Sequence, residues 1–267
     1  MTWGMALAFG LGLLIGSFLN VLIHRLPRMI LAEPHATHDR EPYDLCWPAS
    51  HCPRCNTALK IWHNIPLLSF ACLKGRCSFC QQPISRIYPA IEVITGLVWM
   101  GCIWHWGFNT TGACWALFTS ILLTLSIIDW QTTLLPDDLT QPLVWTGLMA
   151  SATGWLPLDL HQSVWGAVTG YASLWAVANV FERITGKQGM GAGDFKLLAG
   201  LGAWLGPLAL IPLIMLASVS GAAVGLLMKL KGQLGEEGYI PFGPFLAIAG
   251  VVVAFVGMQP IAAWMGW

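Results

Sequence analysis

Long apolar stretches without a charged residue alternate with short polar connections along this chain. Six stretches lack Lys, Arg, Asp and Glu and are at least as long as the roughly 20 residues that a membrane-spanning helix requires. They are residues 1–24, 93–128, 139–158, 160–181, 197–228 and 238–267. The pattern predicts a protein whose helices lie mostly in a lipid bilayer.

Turn-forming residues divide two of these stretches. The stretch 93–128 contains WGFNTTG at 106–112, a cluster of glycine and asparagine that is typical of a turn between two helices. The stretch 197–228 contains LGPLALIP, where a Gly-Pro pair indicates a second break. We therefore predict an all-α polytopic membrane protein with about eight transmembrane helices.

The basic residues fall on one side of this predicted topology. Eight of the 13 Lys and Arg residues lie between Arg25 and Arg86. The other five are Arg183, Lys187, Lys196, Lys229 and Lys231. Because basic loops stay in the cytoplasm, we expect the amino terminus outside and the loop 24–88 inside. A single crossing by 197–228 would leave two lysines outside, which favours two helices there.

Composition supports the membrane assignment and excludes one class of partner. Hydrophobic residues make up 56% of the 267 positions and charged residues only 10%, against roughly a quarter in soluble domains. The formal net charge is zero, so no overall basic field indicates nucleic acid. The expected surroundings are a lipid bilayer, with no nucleic-acid partner.

The loop 24–88 carries two paired-cysteine motifs, CPRC and CSFC, separated by 21 residues. This spacing allows four thiolates to surround a structural zinc ion, which stabilises a loop too small for a strong core. The predicted ligands are Cys52, Cys55, Cys77 and Cys80. The alternative is two unconnected redox or buried cysteine pairs, although disulfides are rare in the cytoplasm. The cysteines expected to be spare or packing residues are Cys46, Cys72, Cys102 and Cys114.

Two acids occur at predicted helix boundaries on the cytoplasmic side. Asp129 ends one helix in SIIDWQTTLLPDD, and Asp194 begins another in GMGAGDFK. Two carboxyl groups that share a partly dry site hold one proton between them, as hydrolysis by an aspartic protease requires. The alternative is helix capping, which we favour for Asp137 and Asp138 in a predicted loop. Asp159 lies on the opposite side and is excluded from the pair.

Three further polar features lie near helix ends. Ser17 and Asn20 in GSFLNVLIHRLP are expected to pair with another helix. Glu92 is equally compatible with a salt bridge to Arg86 and with a catalytic role. The segment PFGPFLAIAG at 241–250 predicts irregular backbone, which membrane proteins tolerate only where it is buried or lines a cavity. We expect it to frame the aspartate site.

The motifs together resemble the prepilin peptidase family of type IV pilus and type II secretion systems. The resemblance runs from GSFLNVLIHRLP through CPRC, CSFC and IDWQTTLLPDD to GMGAGDFKLLAGLGAWLG and PFGPFLAIAG, so it covers nearly the whole chain. It implies an intramembrane aspartic endopeptidase of the GxGD type with catalytic Asp129 and Asp194. Family members cut prepilins or pseudopilins after a glycine that ends a short basic leader.

The resemblance also implies a second activity and a location. Family members methylate the new amino terminus with S-adenosylmethionine as donor, in the bacterial inner membrane and with the active site on the cytoplasmic side. The donor site is expected in the loop 24–88, with no residue assigned. The expected organisation is a first helix over 1–23, a zinc-binding domain over 24–88 and the protease region over 89–267. A proton-coupled transporter and a membrane-anchored zinc adaptor are the alternative functions.

Overall fold

The fold consists of helices joined by short connections. The computed structural model describes residues 2–32, 43–187, 189–232 and 240–265. The helices are α1 Thr2–Leu31, α2 Leu68–Cys72, α3 Ile87–Trp106, α4 Thr110–Thr132, α5 Asp137–Ala152, α6 Leu160–Thr185, α7 Ala192–Leu205, α8 Leu210–Leu230, α9 Gly243–Val256 and α10 Met258–Met265. In the described ranges β-structure is limited to two isolated bridges. The predicted all-α class is confirmed.

Within the described residues, five helices are long and apolar enough to cross a membrane, namely α1, α3, α4, α6 and α8. The apolar helix α9 is shorter, with 14 residues. Much of the surface of the long helices is apolar and exposed, for example Val219, Leu226 and Leu227 on α8. Threonine and serine side chains are buried instead, including Thr95 and Ser163. This arrangement suits lipid as the surrounding solvent, and the chain is a multi-pass membrane protein.

Glycine in the left-handed region ends several helices where the sequence predicts breaks. Gly107 has φ 88° in the turn between α3 and α4, and Gly206 has φ 83° between α7 and α8. Both predicted divisions of long apolar stretches are therefore present as helix breaks. A third break was not predicted. Gly257 has φ 78° and ends α9, so the stretch 238–267 contains two helices where one was expected.

The structure also corrects the placement of Asp137 and Asp138. Both were predicted to lie in a loop, but they form the first turn of α5. Pro136 precedes them in extended conformation, and its fixed φ suits the residue that begins a helix. Acidic side chains in a first turn interact favourably with the helix dipole, which explains why two successive aspartates start a helix here.

The chain divides into two compact units, residues 1–120 and 121–267. In the first unit, α1 packs against α3 through small residues. A Cβ on Gly12 would lie 2.7 Å from the Gly96 Cα, and a Cβ on Gly16 would lie 2.7 Å from the Glu92 Cα. The Asn20 amide donates a hydrogen bond to the Tyr88 carbonyl at 3.1 Å, as expected for a polar residue that pairs with another helix.

In the second unit, α7 lies among α5, α6 and α9, and ten of its fourteen residues are buried. Gly166 of α6 and Gly202 of α7 face each other so closely that a Cβ on either would overlap the other's carbonyl. Ser163 donates a hydrogen bond to the Ala203 carbonyl at 2.6 Å, and the Trp204 indole donates one to the Leu143 carbonyl at 2.8 Å. Backbone contact therefore fixes the position of α7.

We predict that Gly166→Ala lowers the stability of the protein by about 1–3 kcal/mol, because the added methyl group forces α6 away from α7. The measurement is the thermal unfolding midpoint in detergent, followed by tryptophan fluorescence. Gly101→Ala is the matched control, since a Cβ at that helical position meets open space. An equal midpoint for both variants would contradict the close helix contact.

Candidate functional site

The two membrane-boundary acids lie in the second unit. Asp129 is in the last turn of α4, and Asp194 is in the first turn of α7. Their residues are only 4% and 3% exposed. Leu135 connects their surroundings, because it packs against Gly193, next to Asp194, and against Gly243, whose N–H binds Asp129. Two acids that are 65 positions apart in the sequence thus form one buried site.

The hydrogen bonding of the two carboxyl groups differs. Asp129 Oδ2 accepts a hydrogen bond from the Gly243 backbone N–H at 3.0 Å. Among the described residues, Asp194 Oδ1 is buried without a hydrogen-bond partner. Most buried polar atoms in proteins have partners, so an unpaired carboxyl oxygen in an apolar site indicates a position for a ligand or a water molecule.

Two glycines bring backbone close to this site. A Cβ on Gly243 would lie 2.5 Å from Asp129 Oδ2, and a Cβ on Gly193 would lie 2.7 Å from the Leu135 Cβ. Gly191 differs from both, because a Cβ there would meet open space. Gly193 and Gly243 are therefore required by packing around the acids, whereas Gly191 leaves open the approach to the start of α7. The segment that contains Gly243 frames the site, as the sequence analysis expected.

An ion pair next to the site escaped sequence reasoning. The Lys196 Nζ lies 2.7 Å and 2.8 Å from the two carboxylate oxygens of Asp137. The pair joins the first turn of α7 to the first turn of α5, and both side chains are partly exposed. Lys196 follows Asp194 by two positions, so the pair helps to hold the helix end on which Asp194 lies. The sequence feature that could have indicated the ion pair is the presence of Lys196 in the otherwise apolar segment that follows Asp194.

The aspartate end of the second unit is also its basic end. Lys196 joins α7 to the first turn of α5 there, and Gly243 joins the first turn of α9 to the last turn of α4. Arg183 lies in the last turn of α6 and Lys229 in the last turn of α8, and both helices run antiparallel to α7. The connections at the opposite end, residues 153–159 and 206–209, contain no lysine or arginine.

Four cysteines form a separate cluster in the first unit. Their sulfur atoms lie within 4.8 Å of one another, and the residues are Cys52, Cys55, Cys77 and Cys80. Each pair of cysteines lies within a turn of its own, and the two turns have the same hydrogen bonding. The N–H of Cys52 binds the Thr57 carbonyl and that of Cys77 binds the Gln82 carbonyl, while Asn56 and Gln81 have positive φ. Two equivalent turns therefore present four sulfurs to one point.

Two of these thiols have lowered pKa values and a third has a raised one. Hydrogen bonds from Thr57 lower the pKa of Cys55 to about 6, and the N–H groups of Cys80 and Phe79 lower the pKa of Cys77. The Gln82 N–H favours the Cys80 thiolate, but burial beside the other sulfurs raises its pKa to about 11. Four thiolates cannot share so small a volume without a positive charge. A divalent cation at this point would supply that charge, and four cysteine sulfurs are a ligand set typical of structural zinc sites.

The remaining predicted residues have ordinary partners or stay outside both sites. Asp159 caps α6 by accepting the Gln162 N–H at 2.7 Å. Glu92 accepts the Leu67 N–H at 3.0 Å, and within the described residues it forms no ion pair with Arg86. The cysteines outside the cluster are free thiols, two exposed and two within helices: Cys46, Cys72, Cys102 and Cys114.

These features define a helical membrane protein with a buried pair of aspartates and a four-cysteine centre. Two family models match it: the bacterial peptidase A24 N-terminal domain over residues 11–106 and the type IV leader peptidase family over residues 116–226. The chain belongs to the type IV leader peptidase family. No solved structure matches it.

Curated relatives named prepilin leader peptidase/N-methyltransferase match nearly the full chain. The protein of Stutzerimonas stutzeri is 46% identical, with 97% of this chain and 92% of the relative covered. That of Pseudomonas aeruginosa is 46% identical, with 93% and 89% covered, and that of Aeromonas hydrophila is 43% identical, with 97% and 92% covered. The family resemblance inferred from the motifs is confirmed, and with it the enzyme class, a leader peptidase with N-methyltransferase activity.

We predict that Gly243→Ala lowers the rate of leader cleavage by about 10²-fold, the effect expected when a reacting group moves by roughly 1 Å. The added methyl group displaces the Asp129 carboxylate. Gly221→Ala is the control, because its Cβ makes only an ordinary contact, 3.4 Å from the Phe245 ring. Cleavage by Gly243→Ala at the rate of the control would show that the Asp129 carboxylate tolerates displacement.

A second prediction concerns the cysteine cluster. The unchanged protein should bind about one zinc ion per chain, and a Cys52→Ser, Cys55→Ser variant should lose it, because two sulfurs do not complete a tetrahedral site. The measurement is the metal content of purified protein by mass spectrometry. A Cys46→Ser, Cys72→Ser variant carries the same number of substitutions at exposed thiols and should keep its zinc. Equal zinc in both variants would remove the assignment.

Proposed function

We propose that Asp129 and Asp194 are the catalytic pair of an intramembrane aspartic endopeptidase that removes leader peptides from prepilins or pseudopilins. The observation that carries the proposal is the joint burial of two carboxyl groups from different helices, one of which has an oxygen without a partner. Family membership supplies the substrate class, since the relatives are named prepilin leader peptidases.

The different partners of the two carboxyl groups suggest their roles. The Gly243 N–H stabilises a negative charge on Asp129, so Asp129 acts as the general base. It removes a proton from a water molecule while the water oxygen attacks the scissile carbonyl carbon. Protonated Asp194 donates its proton to the carbonyl oxygen. When the tetrahedral intermediate collapses, the C–N bond breaks, the leaving amine takes the proton held by Asp129, and a hydroxyl group of the intermediate returns a proton to Asp194 as the carboxylic acid forms.

The proposed location follows from charge. The basic end of the second unit carries both aspartates, and basic segments stay in the cytoplasm. We assign this end to the cytoplasmic face of the bacterial inner membrane, with about eight membrane crossings in total. The proposed organisation keeps 1–23 as the first helix, 24–88 as a cytoplasmic zinc-binding domain and 89–267 as the protease region. Zinc stabilises the domain and takes no part in cleavage.

The open approach at Gly191 suits the proposed cleavage after a glycine. A substrate in extended conformation has to bring its scissile carbonyl to buried carboxyl groups, and bulky side chains at the cut would obstruct that approach. The basic leader then stays at the cytoplasmic surface while the apolar segment of the substrate lies among the helices. The exposed amino terminus is afterwards methylated, with S-adenosylmethionine as the donor.

The alternative functions explain less of the geometry. A proton-coupled transporter usually binds its substrate near the bilayer midplane, whereas both acids here lie in terminal turns of helices. A zinc adaptor would use only the cysteine cluster and would need no buried acids. The close approach of Gly243 to Asp129 favours a site in which carboxylate position matters.

We expect Asp129→Asn and Asp194→Asn each to lower the rate of leader cleavage by roughly 10⁴-fold or more, because the pair acts as a unit. The assay incubates purified protein with a prepilin and determines the new amino terminus by mass spectrometry. Asp138→Asn is the control, since that carboxylate is exposed in the first turn of α5. Either site variant cleaving at the rate of the control would refute the catalytic pair.

A further inference from the structure

A cavity of about 650 Å³ lies within the first unit, apart from the aspartates. It is bounded by the last turns of α1, the first turns of α3 and the segment between them that carries the four cysteines. Its volume is within the ~300–1,000 Å³ typical of small-molecule sites. Most of its lining area is apolar and includes the rings of Phe70 and Tyr88, while more than half of the lining residues also carry a polar or charged group. This is the usual composition of a site for an organic ligand.

A buried acid lines this cavity. Glu92 is only 9% exposed, and its partners are the Leu67 N–H, at 3.0 Å from Oε2, and the Ser17 side chain. Within the described residues no lysine, arginine or histidine forms an ion pair with it. A carboxylate in an apolar cavity without a counterion provides a strong electrostatic attraction for a cationic ligand.

Two further polar atoms of the lining have no partner. His63 Nδ1 and Ser78 Oγ are buried, and neither makes a hydrogen bond in the described part of the chain. The His63 ring is held by an edge contact with Phe79, at 6.0 Å between ring centres. Because buried polar atoms rarely remain unpaired, these atoms are positions where a ligand completes the hydrogen bonding.

The basic residues Arg28 and His24 also line the cavity, and both are exposed. Arg25 lines it as well, but it is buried and its guanidinium donates hydrogen bonds to the Asp44 and Pro48 carbonyls. The cavity therefore combines an inner negative group, aromatic surfaces, unpaired hydrogen-bonding atoms and a cationic rim. We propose that it binds S-adenosylmethionine, with the sulfonium group against Glu92 and the methionine carboxylate toward Arg28. This inference rests on the proposed function, because methylation of the new amino terminus requires a methyl donor.

The charge of the donor gives Glu92 a defined role. In the methyl transfer the lone pair of the substrate amine attacks the methyl carbon, the C–S bond breaks and its electron pair stays on sulfur. The amine product releases a proton to water, and the remaining thioether is neutral. Glu92 attracts the cationic donor and not the neutral product, so it favours exchange of S-adenosylhomocysteine for fresh donor.

The test uses isothermal titration calorimetry to measure how tightly S-adenosylmethionine and S-adenosylhomocysteine bind to the purified, zinc-loaded protein. Glu92→Gln keeps an acceptor for the Leu67 N–H but removes the charge. This variant should lower the affinity for S-adenosylmethionine roughly ten- to hundredfold, the range expected when a charged partner is lost. It should change the affinity for S-adenosylhomocysteine only about two- to threefold. Glu182→Gln, at an exposed glutamate of α6, is the matched control and should bind both as the unchanged protein does.

A second variant separates loss of a contact from loss of charge. His63→Phe keeps the edge contact with Phe79 and removes the unpaired nitrogen, so it should weaken both ligands by a similar factor of about three to ten. Zinc content and leader cleavage in each variant report whether the protein remains folded. The inference is overturned if a folded Glu92→Gln protein binds the donor with unchanged affinity, or if its affinity for both ligands falls by the same factor.

Failure of this inference is distinct from failure of the proposed function. If the unchanged protein cleaves and methylates a prepilin while Glu92→Gln and His63→Phe bind the donor normally, the donor site lies elsewhere and the enzymatic assignment stands. If the unchanged protein cleaves no prepilin, the peptidase proposal fails, and if it binds no S-adenosylmethionine, the cavity proposal fails.

Discussion

Burial of α7 is the constraint on which the second unit depends. Its neighbours approach so closely that glycine is required at the crossing of α6 and α7, where Gly166 and Gly202 meet. Side-chain donors from Ser163 and Trp204 bind carbonyls at this depth, in place of water. Because the helix axis is fixed over most of its length, the first turn has little freedom, and the position of Asp194 is set by packing that extends far from the acid itself.

The ends of helices make buried carboxyl groups tolerable in this setting. The first N–H groups of a helix have no partner within it, and Gly243 lies at the start of α9, so its N–H is available to Asp129 of α4. Asp194 lies in the first turn of α7, and its Oδ1 has no hydrogen-bond partner among the described residues. Both acids thus lie in terminal turns, and in the described part of the chain neither forms an ion pair with a basic residue.

The sequence predicts the helices and the motifs well because both depend on local signals. Stretches without charge define the long helices, and Gly-Pro or Gly-Asn clusters mark the breaks near Gly107 and Gly206. The break at Gly257 was missed because a single glycine in an apolar stretch carries little information. The loop assigned to Asp137 was wrong for a related reason, since two aspartates after a proline suit a turn and a helix start equally.

Contacts between distant segments lie beyond such reasoning. The Lys196–Asp137 pair joins residues 59 positions apart, and nothing local selects that partner over another acid. The cavity beside Glu92 likewise depends on how the cysteine-bearing segment folds against α1 and α3. In the cysteine-bearing loop, by contrast, the spacing C-x-x-C was sufficient to predict a four-sulfur cluster, because each turn closes on its own carbonyl groups.

The equivalence of the two cysteine turns has a consequence for how this loop tolerates change. The turns at Cys52–Cys55 and Cys77–Cys80 face each other, so the chain between them starts and finishes at nearly the same place. Because the base of this loop is closed at the cluster, a longer chain between the two turns costs only slightly more loop-closure entropy. Insertions among its exposed residues are therefore tolerated best, whereas Leu67 has to keep its place, because its N–H binds Glu92 of α3.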